Sequence, residues 1–404
     1  MNTHKFIKSF QMIIIVLILF SGRTSLGLFE SIPIYLSIYG MGILILFMLI
    51  LQKKEYVISA PVYSSLLFIF SIVLMLGNYL TASEYGYNKT IEFVIYVFIL
   101  SIIIDNCLET KIDIINLIKS FYYVSIVISI ISITVGLLTN TLTTERLTFL
   151  GSGPNTFSRM IFYGLIANIF LVFASKRSVF KFISIWIFLT AILFSGARQT
   201  ILGSIIFIIF YLLIVIIVQK KIDKSRLLRL FSLLMILIVP IIFFWTVIQE
   251  NKYFQRFLLL FSDEKGDSFN IRTWLLEQAI LKGKESILFG NGTGAFELKY
   301  PEYIYPHNVF AEIFMENGLV GLLILILIIM YPLKILIKKY KLVLKEIDVH
   351  QITALVVMYL FTVYTAQISG DLFDNRWIFL IGLIMLKYNF LFSKSIYGEF
   401  RKGD

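Results

Sequence analysis

The chain has 404 residues, of which 58% are hydrophobic and 15% charged, and a formal net charge of +11. A soluble globule carries about 25% charged residues, so this composition excludes a set of soluble domains and points to a polytopic membrane protein. The apolar runs are long and unbroken, which selects helices over the short alternating strands of a membrane barrel. The basic residues cluster in short segments between those runs, the pattern of membrane orientation and not of a nucleic-acid-binding face.

A crossing helix needs about 20 mostly apolar residues. By that measure the chain holds about twelve spans, at 8–28, 31–51, 57–77, 90–105, 114–138, 156–174, 180–195, 199–218, 229–248, 307–331, 351–370 and 375–393. The first begins like a signal peptide, with His4-Lys5 and Lys8 ahead of Met12–Phe20. Ser21-Gly-Arg23 then runs on into apolar sequence with no small-residue cleavage site, so it reads as an uncleaved helix. Cys107 is the single cysteine, so no internal disulfide forms.

Segments rich in Lys and Arg alternate with segments that hold mostly one basic residue. The first set comprises Lys53-Lys54, Lys176-Arg177 with Lys181, Lys220-Lys221 with Lys224 and Arg226, Lys334 through Lys345, and Arg401-Lys402. The second comprises Arg23, Lys89, Arg146, Arg198 and Arg376. The positive-inside rule places the first set and both termini in the cytoplasm. The chain 1–404 thus reads as a single integral membrane domain, with external loops at Thr139–Asn155 and, larger, at 249–306. In the larger loop Ile271, Trp274, Leu275 and Leu281 fall near one helical face, with Asp267 or Ser268 as N-cap. Such a helix suits the membrane surface. Gly290-Asn-Gly292-Thr-Gly294 lacks the Lys-Ser/Thr and the preceding strand of a phosphate loop, and reads as a flexible turn. There is no internal repeat of the kind many transporters carry.

This topology makes His307 the one external histidine, with His4 and His350 on the cytoplasmic side. An unperturbed imidazole titrates near pH 6.5, so His307 serves either as a proton acceptor or as a helix cap at headgroup level. On a straight helix His307, Ala311, Phe314, Gly318 and Gly321 share one face. The glycines there either let another helix approach or leave a groove. Glu312 and Glu316 project about 140° and 180° away from His307. Carboxylates are costly in lipid, so both should face the bundle. Arg198, in the turn Ser195-Gly-Ala-Arg198, and Arg272 are placed either to fix phosphate oxygens through the guanidinium fork or to anchor the protein at the interface. Arg146, Arg159 and Arg376 are further candidates of the same kind. Asp371 and Asp374 read as a base, as sugar-hydroxyl ligands or as residues of a solvated loop.

The pattern His307-Asn308, nine residues, Gly318-Leu-Val-Gly321 resembles the His-Asn-x9-Gly-x-x-Gly motif of the O-antigen ligase and polymerase superfamily. Ser195-Gly-Ala-Arg198 is similar to that family's Ser-Gly-x-Arg turn. Arg272 through Gly283 matches an Arg-x10-Gly pattern of the polymerases, and Phe289-Gly290-x-Gly292 resembles the glycine-rich segment that follows. The resemblance runs from about Phe149 to Gly321. It implies an all-α, polytopic transmembrane bundle of about 12 helices, GT-C-like, with one large external loop, in the bacterial inner membrane. It also implies inverting glycosyl transfer from an undecaprenyl-pyrophosphate-linked oligosaccharide, with no cofactor and no metal.

On this resemblance His307, Arg272 and Arg198 are the catalytic candidates, His307 acting as base or pyrophosphate ligand. Asn308, Arg146, Arg159, Arg376, Gly318 and Gly321 are the substrate-binding candidates, the glycines offering a groove for the polyprenyl tail. The expected activity is a polymerase of O-antigen or capsular repeat units. The alternatives are a ligase that transfers glycan to lipid A–core and a flippase of the same lipid-linked glycan. Expected partners are the lipid-linked oligosaccharide, membrane lipids, and a chain-length regulator and flippase of the same pathway, with no nucleic acid.

Overall fold

The computed structural model describes residues 3–20, 43, 46, 50–51, 56–142, 145–149, 152–174, 179–218, 252–259, 266–340 and 346–400. The described elements are helical: α1 Thr3–Phe20, α2 Pro61–Thr81, α3 Glu84–Cys107, α4 Lys111–Leu138, α5 Pro154–Ala174, α6 Val179–Phe194, α7 Arg198–Val218, α8 Lys252–Leu258, α9 Asp267–Gly283, α10 Ala295–Lys299, α11 Val309–Tyr340, α12 Glu346–Ala366 and α13 Trp377–Phe400. Seven of them (α2, α3, α4, α5, α7, α11 and α12) are long and apolar enough to cross a membrane. Ile7–Phe20, Val179–Phe194 and Trp377–Ser393 are shorter apolar helices. The expected spans 31–51, apart from scattered positions, and 229–248 lie outside the described residues, and the others coincide with described helices. The expected span 90–105 is too short. Its helix starts at Glu84, capped by Ser83, whose hydroxyl accepts the Gly86 amide at 3.0 Å.

The described residues form two compact units. The first comprises Met1–Ile43, Ile115–Lys265 and Leu342–Met358. Its centre is α5, whose side chains from Phe157 to Phe173 are all buried. Apolar residues all round a helix are what a fully enclosed position requires. Gly164 lets α4 approach closely, since a Cβ there would overlap Ser125. His350 is buried here, stacked on Phe173 with ring centroids 4.9 Å apart.

The second unit comprises Leu44–Ile114, Gly266–Lys341 and Tyr359–Asp404. Its centre is α11, which packs against α2, α9 and α13. Leu275 and Ala279 of α9, Phe296 of α10, and Ala311 and Met315 of α11 form one apolar cluster. This cluster corrects the expected face of α9: Leu275 is buried, while Ile271, Trp274 and Leu281 are exposed. The α9 cap also differs. Gly266, at φ 82°, occupies the N-cap without a side-chain hydrogen bond, and Asp267 lies in the first turn, where its charge faces the positive end of the helix dipole.

α11 is not straight. Gly318 has φ 65° and ψ −161°, a region open essentially to glycine alone. In a continuous helix the amides of Leu319 and Val320 would donate to Met315 and Glu316. Here they donate instead to the carbonyls of Ile287 and Leu288, at 2.8 and 3.2 Å. The carbonyls of Met315 and Glu316 accept from the amides of Asn291 and Gly292, at 2.9 and 2.8 Å. The turn at 287–294 therefore takes up the hydrogen bonds that the break releases. It is packed, which overturns its reading as a flexible turn. Thr293 is fully buried; its hydroxyl donates to the Leu74 carbonyl at 2.9 Å and accepts from the Asn317 amide at 3.1 Å. Gly290 is at φ 74°, and a Cβ there would overlap the backbone of Glu316.

The break also overturns the single-face projection of His307, Gly318 and Gly321. His307 lies two residues ahead of the helix in a left-handed conformation, φ 59°. At Gly318 the space for a groove is filled, because a Cβ would overlap the Leu288 carbonyl. At Gly321 the nearest atom to an added Cβ is Asn317 Cβ, at 2.5 Å. Gly318→Ala should therefore cost about 1–3 kcal/mol in backbone strain alone, and lower the thermal midpoint of the detergent-solubilised protein. Gly153→Ala, where nothing lies within 4 Å of an added Cβ, should leave the midpoint unchanged in the same assay.

Candidate functional site

In the first unit the turn Ser195-Gly-Ala-Arg198 opens α7. Gly196 sits at φ 61°, which places Arg198 at the first position of the helix. The segment before α5 closes over this turn. Arg146 Nε donates to the Ser195 carbonyl at 2.7 Å, and the Leu147 amide donates to the Phe194 carbonyl at 3.0 Å. Tyr253 of α8 donates its hydroxyl to the Glu145 carbonyl. Burial pushes the Tyr253 phenol above its ordinary range, with Arg146 opposing the shift and Glu145 adding to it. The Ser158 and Thr200 hydroxyls, 2.8 Å apart, set the start of α5 beside the first turn of α7. Arg159, next to Ser158, is buried. The structure thus places Arg146 and Arg198 at one helix N-terminus, the positive end of its dipole, with Arg159 buried one residue after Ser158.

In the second unit the remaining candidates meet at the loop between α12 and α13. Arg272 Nη1, on α9, donates to the Ile368 carbonyl at 3.1 Å. Asn308 Nδ2 donates to the neighbouring Gln367 carbonyl at 3.1 Å. Asn308 also caps α11, its Oδ1 accepting the Ala311 amide at 3.0 Å. His307, between this cap and Tyr305, packs its ring edge-on against Tyr305 with centroids 4.7 Å apart. Arg272 and Asn308 are therefore brought to adjacent carbonyls of one loop, with His307 next to Asn308 in the chain.

The loop itself is tightly held. Gly370 turns it at φ 82°. Asn375 Nδ2 donates to the carbonyls of Ser369 and Asp371, at 3.0 and 2.8 Å. Arg376 is buried, its guanidinium 4.6 Å from the Tyr96 ring centroid and 4.4 Å from that of Phe373. Asp371 is fully buried, which overturns its reading as a solvated loop residue. Its Oδ2 accepts the Tyr85 hydroxyl at 2.5 Å, and its Oδ1 accepts the Asp374 amide at 2.8 Å.

Lys89 belongs to no loop. It is fully buried on α3, its Nζ 2.6 Å from Glu312 Oε1 and 2.7 Å from Glu316 Oε2. The two carboxylates do face the bundle interior, as their expense in lipid requires. Lys89 and Tyr85 are the residues that the sequence reading missed. The signal was present: two carboxylates one turn apart in an apolar helix need a buried cation, and Lys89 stands one residue ahead of the expected span 90–105. Among the described residues no group of three or more His, Cys, Asp and Glu is placed to hold a metal ion.

Residues 183–326 match a family model described as O-antigen ligase. The matched segment contains Arg198, Arg272, the 287–294 turn, His307-Asn308, Gly318 and Gly321, and it supports the O-antigen ligase and polymerase superfamily. With the seven apolar helices, it makes the chain a multi-pass membrane protein of polysaccharide biosynthesis, of ligase or polymerase type. No curated protein matches the chain.

Removing one partner of a buried ion pair costs about 3–5 kcal/mol. Lys89→Met should thus lower the thermal midpoint sharply by stranding two carboxylates. Adding Glu312→Gln and Glu316→Gln should recover most of the loss in the same melting experiment.

Proposed function

We propose that the protein is a polymerase that joins undecaprenyl-pyrophosphate-linked oligosaccharide repeat units into O-antigen or capsular polysaccharide. In this reading it is a single integral domain of the bacterial inner membrane, with both termini cytoplasmic and α9 through His307 on the external face. The observation that carries the reading is that Arg272 and Asn308, the residue after His307, donate to consecutive loop carbonyls, inside the family-matched segment; Ile368 and Gln367 themselves lie outside that segment. A cation that never deprotonates is thus anchored on the same loop as the residue next to His307.

The chemistry needs both this cation and His307. The hydroxyl of an acceptor repeat unit attacks the anomeric carbon of the donor. The bond from that carbon to the pyrophosphate oxygen breaks, with inversion, and undecaprenyl pyrophosphate leaves. His307 takes the hydroxyl proton as general base. Arg272 stabilises the charge that develops on the leaving pyrophosphate, and Arg198 remains a candidate for the same task. Within the first unit, the α7 N-terminus beside Arg146 and Arg198 suits an anion, since it adds its dipole and its amides. Arg376 and Asn308 contribute to substrate binding in this scheme. The resting imidazole serves equally as a pyrophosphate ligand when protonated.

The second reading is a ligase that transfers the glycan to lipid A–core, which the name of the matched family, O-antigen ligase, favours. Glycan analysis of a deletion strain separates the readings. A polymerase deletion leaves a single capped unit, a ligase deletion accumulates lipid-linked polymer, and build-up of single units on the cytoplasmic leaflet points to a flippase. Complementation with Arg272→Ala should lower polymer about 10²–10³-fold, the usual loss for one preorganised charge donor, at unchanged protein abundance. His307→Ala should do likewise. Long chains at wild-type level in either variant would remove that residue from the site.

A further inference from the structure

We propose that Tyr85 and Lys89 are positioning residues for the Arg272–His307–Asn308 site, a role that rests on the polymerase reading. They stand one turn apart on one face of α3, with the Lys89 ammonium 5.2 Å from the Tyr85 ring centroid. From that face two chains of contact run outward. Lys89 grips Glu312 and Glu316 on the part of α11 between its cap at Asn308 and its break at Gly318. Tyr85 grips Asp371 in the loop whose carbonyls hold Asn308 and Arg272. The chains close on each other through the Asn308–Gln367 hydrogen bond. The result is a ring through α3, the start of α11 and the 367–376 loop, with α9 attached through Arg272.

The break is what makes the ring necessary. A helix interrupted at Gly318 does not transmit its orientation from the far half of α11, so the short segment that carries Asn308 needs a hold of its own. Lys89 supplies it at two carboxylates spaced i, i+4. An apolar core of the same volume would be at least as stable as this buried ionic cluster. What the charges and the Tyr85 hydroxyl add is a fixed register between two segments that each carry site residues. Misplacing reacting groups by about 1 Å costs roughly 10²-fold in rate.

The test uses the full chain in proteoliposomes with an undecaprenyl-pyrophosphate-linked repeat unit, reading kcat, KM and thermal midpoint. Tyr85→Phe removes one hydroxyl and keeps the ring. It should lower kcat per folded molecule roughly 10–100-fold, beyond any loss of midpoint from the unpaired Asp371 oxygen. Asp371→Asn keeps an acceptor for that hydroxyl and should retain kcat within about threefold, whereas Asp371→Ala should fall with Tyr85→Phe. The double variant Tyr85→Phe with Asp371→Ala should be no worse than either single one, because the two share one path. A second readout needs no substrate. In protein labelled with 15N at its three histidines, Tyr85→Phe should shift the His307 ring resonances and leave those of His350 in place. Wild-type kcat and an unmoved His307 signal in Tyr85→Phe would overturn the positioning role, as would a drop in midpoint with kcat per folded molecule intact. A His307 signal moved by Tyr85→Phe, when the wild-type protein makes no polymer, would keep the positioning role and remove the polymerase reading.

Discussion

A backbone amide or carbonyl that loses its helical partner inside a bilayer has no water to turn to, and each one left open costs several kcal/mol. Gly318 opens four such groups in the middle of α11. The turn at 287–294 exists in its observed form because it closes them, by exchanging backbone hydrogen bonds with residues 315–320. Much of the second unit follows from that exchange. The turn must reach the break, so α9 lies against α11, burying Leu275 and Ala279 on Ala311 and Met315. Thr293 must be buried between α2 and α11, so Gly77 and Gly86 are required where a Cβ would strike it. Arg272 is carried on α9 and takes its place with it.

The break also shortens the part of α11 that presents Asn308. Two kinds of polar hold replace the rigidity of a continuous helix. One is the Lys89 bridge to Glu312 and Glu316, the other the loop that receives Arg272 and Asn308 on adjacent carbonyls. The Lys89 bridge is fully buried, where electrostatic interactions are strong and geometric errors are expensive. In the proposed reaction this matters because preorganised charge, more than any change of covalent partner, lowers the barrier for departure of a pyrophosphate.

The spans were legible in the sequence because hydrocarbon solubility is a property of composition, and the twenty-residue ruler recovered the ends of α5, α6 and α7 within two residues. The motif residues were legible too, but the reason for them was not. Gly318 read as a small face on a straight helix, since periodicity assumes the helix it is measuring. Its φ of 65° depends on partners 26 to 31 residues earlier in the chain, which no local pattern reports. Lys89 read as a loop residue because positive charge near an apolar run usually marks an interface. Only the long-range meeting with Glu312 and Glu316 makes it a core residue. Asp371 was misread for the same reason: the partner that buries it, Tyr85, lies 286 positions away.

The central claim is that this chain links lipid-carried sugars to one another. The direct measurement is the product distribution when the purified protein, in liposomes, is given an undecaprenyl-pyrophosphate-linked repeat unit as the sole glycan. The account predicts a ladder of multi-unit products and release of undecaprenyl pyrophosphate, with no lipid A–core required. A protein that leaves single units unjoined, and moves glycan only when lipid A–core is added, would contradict it.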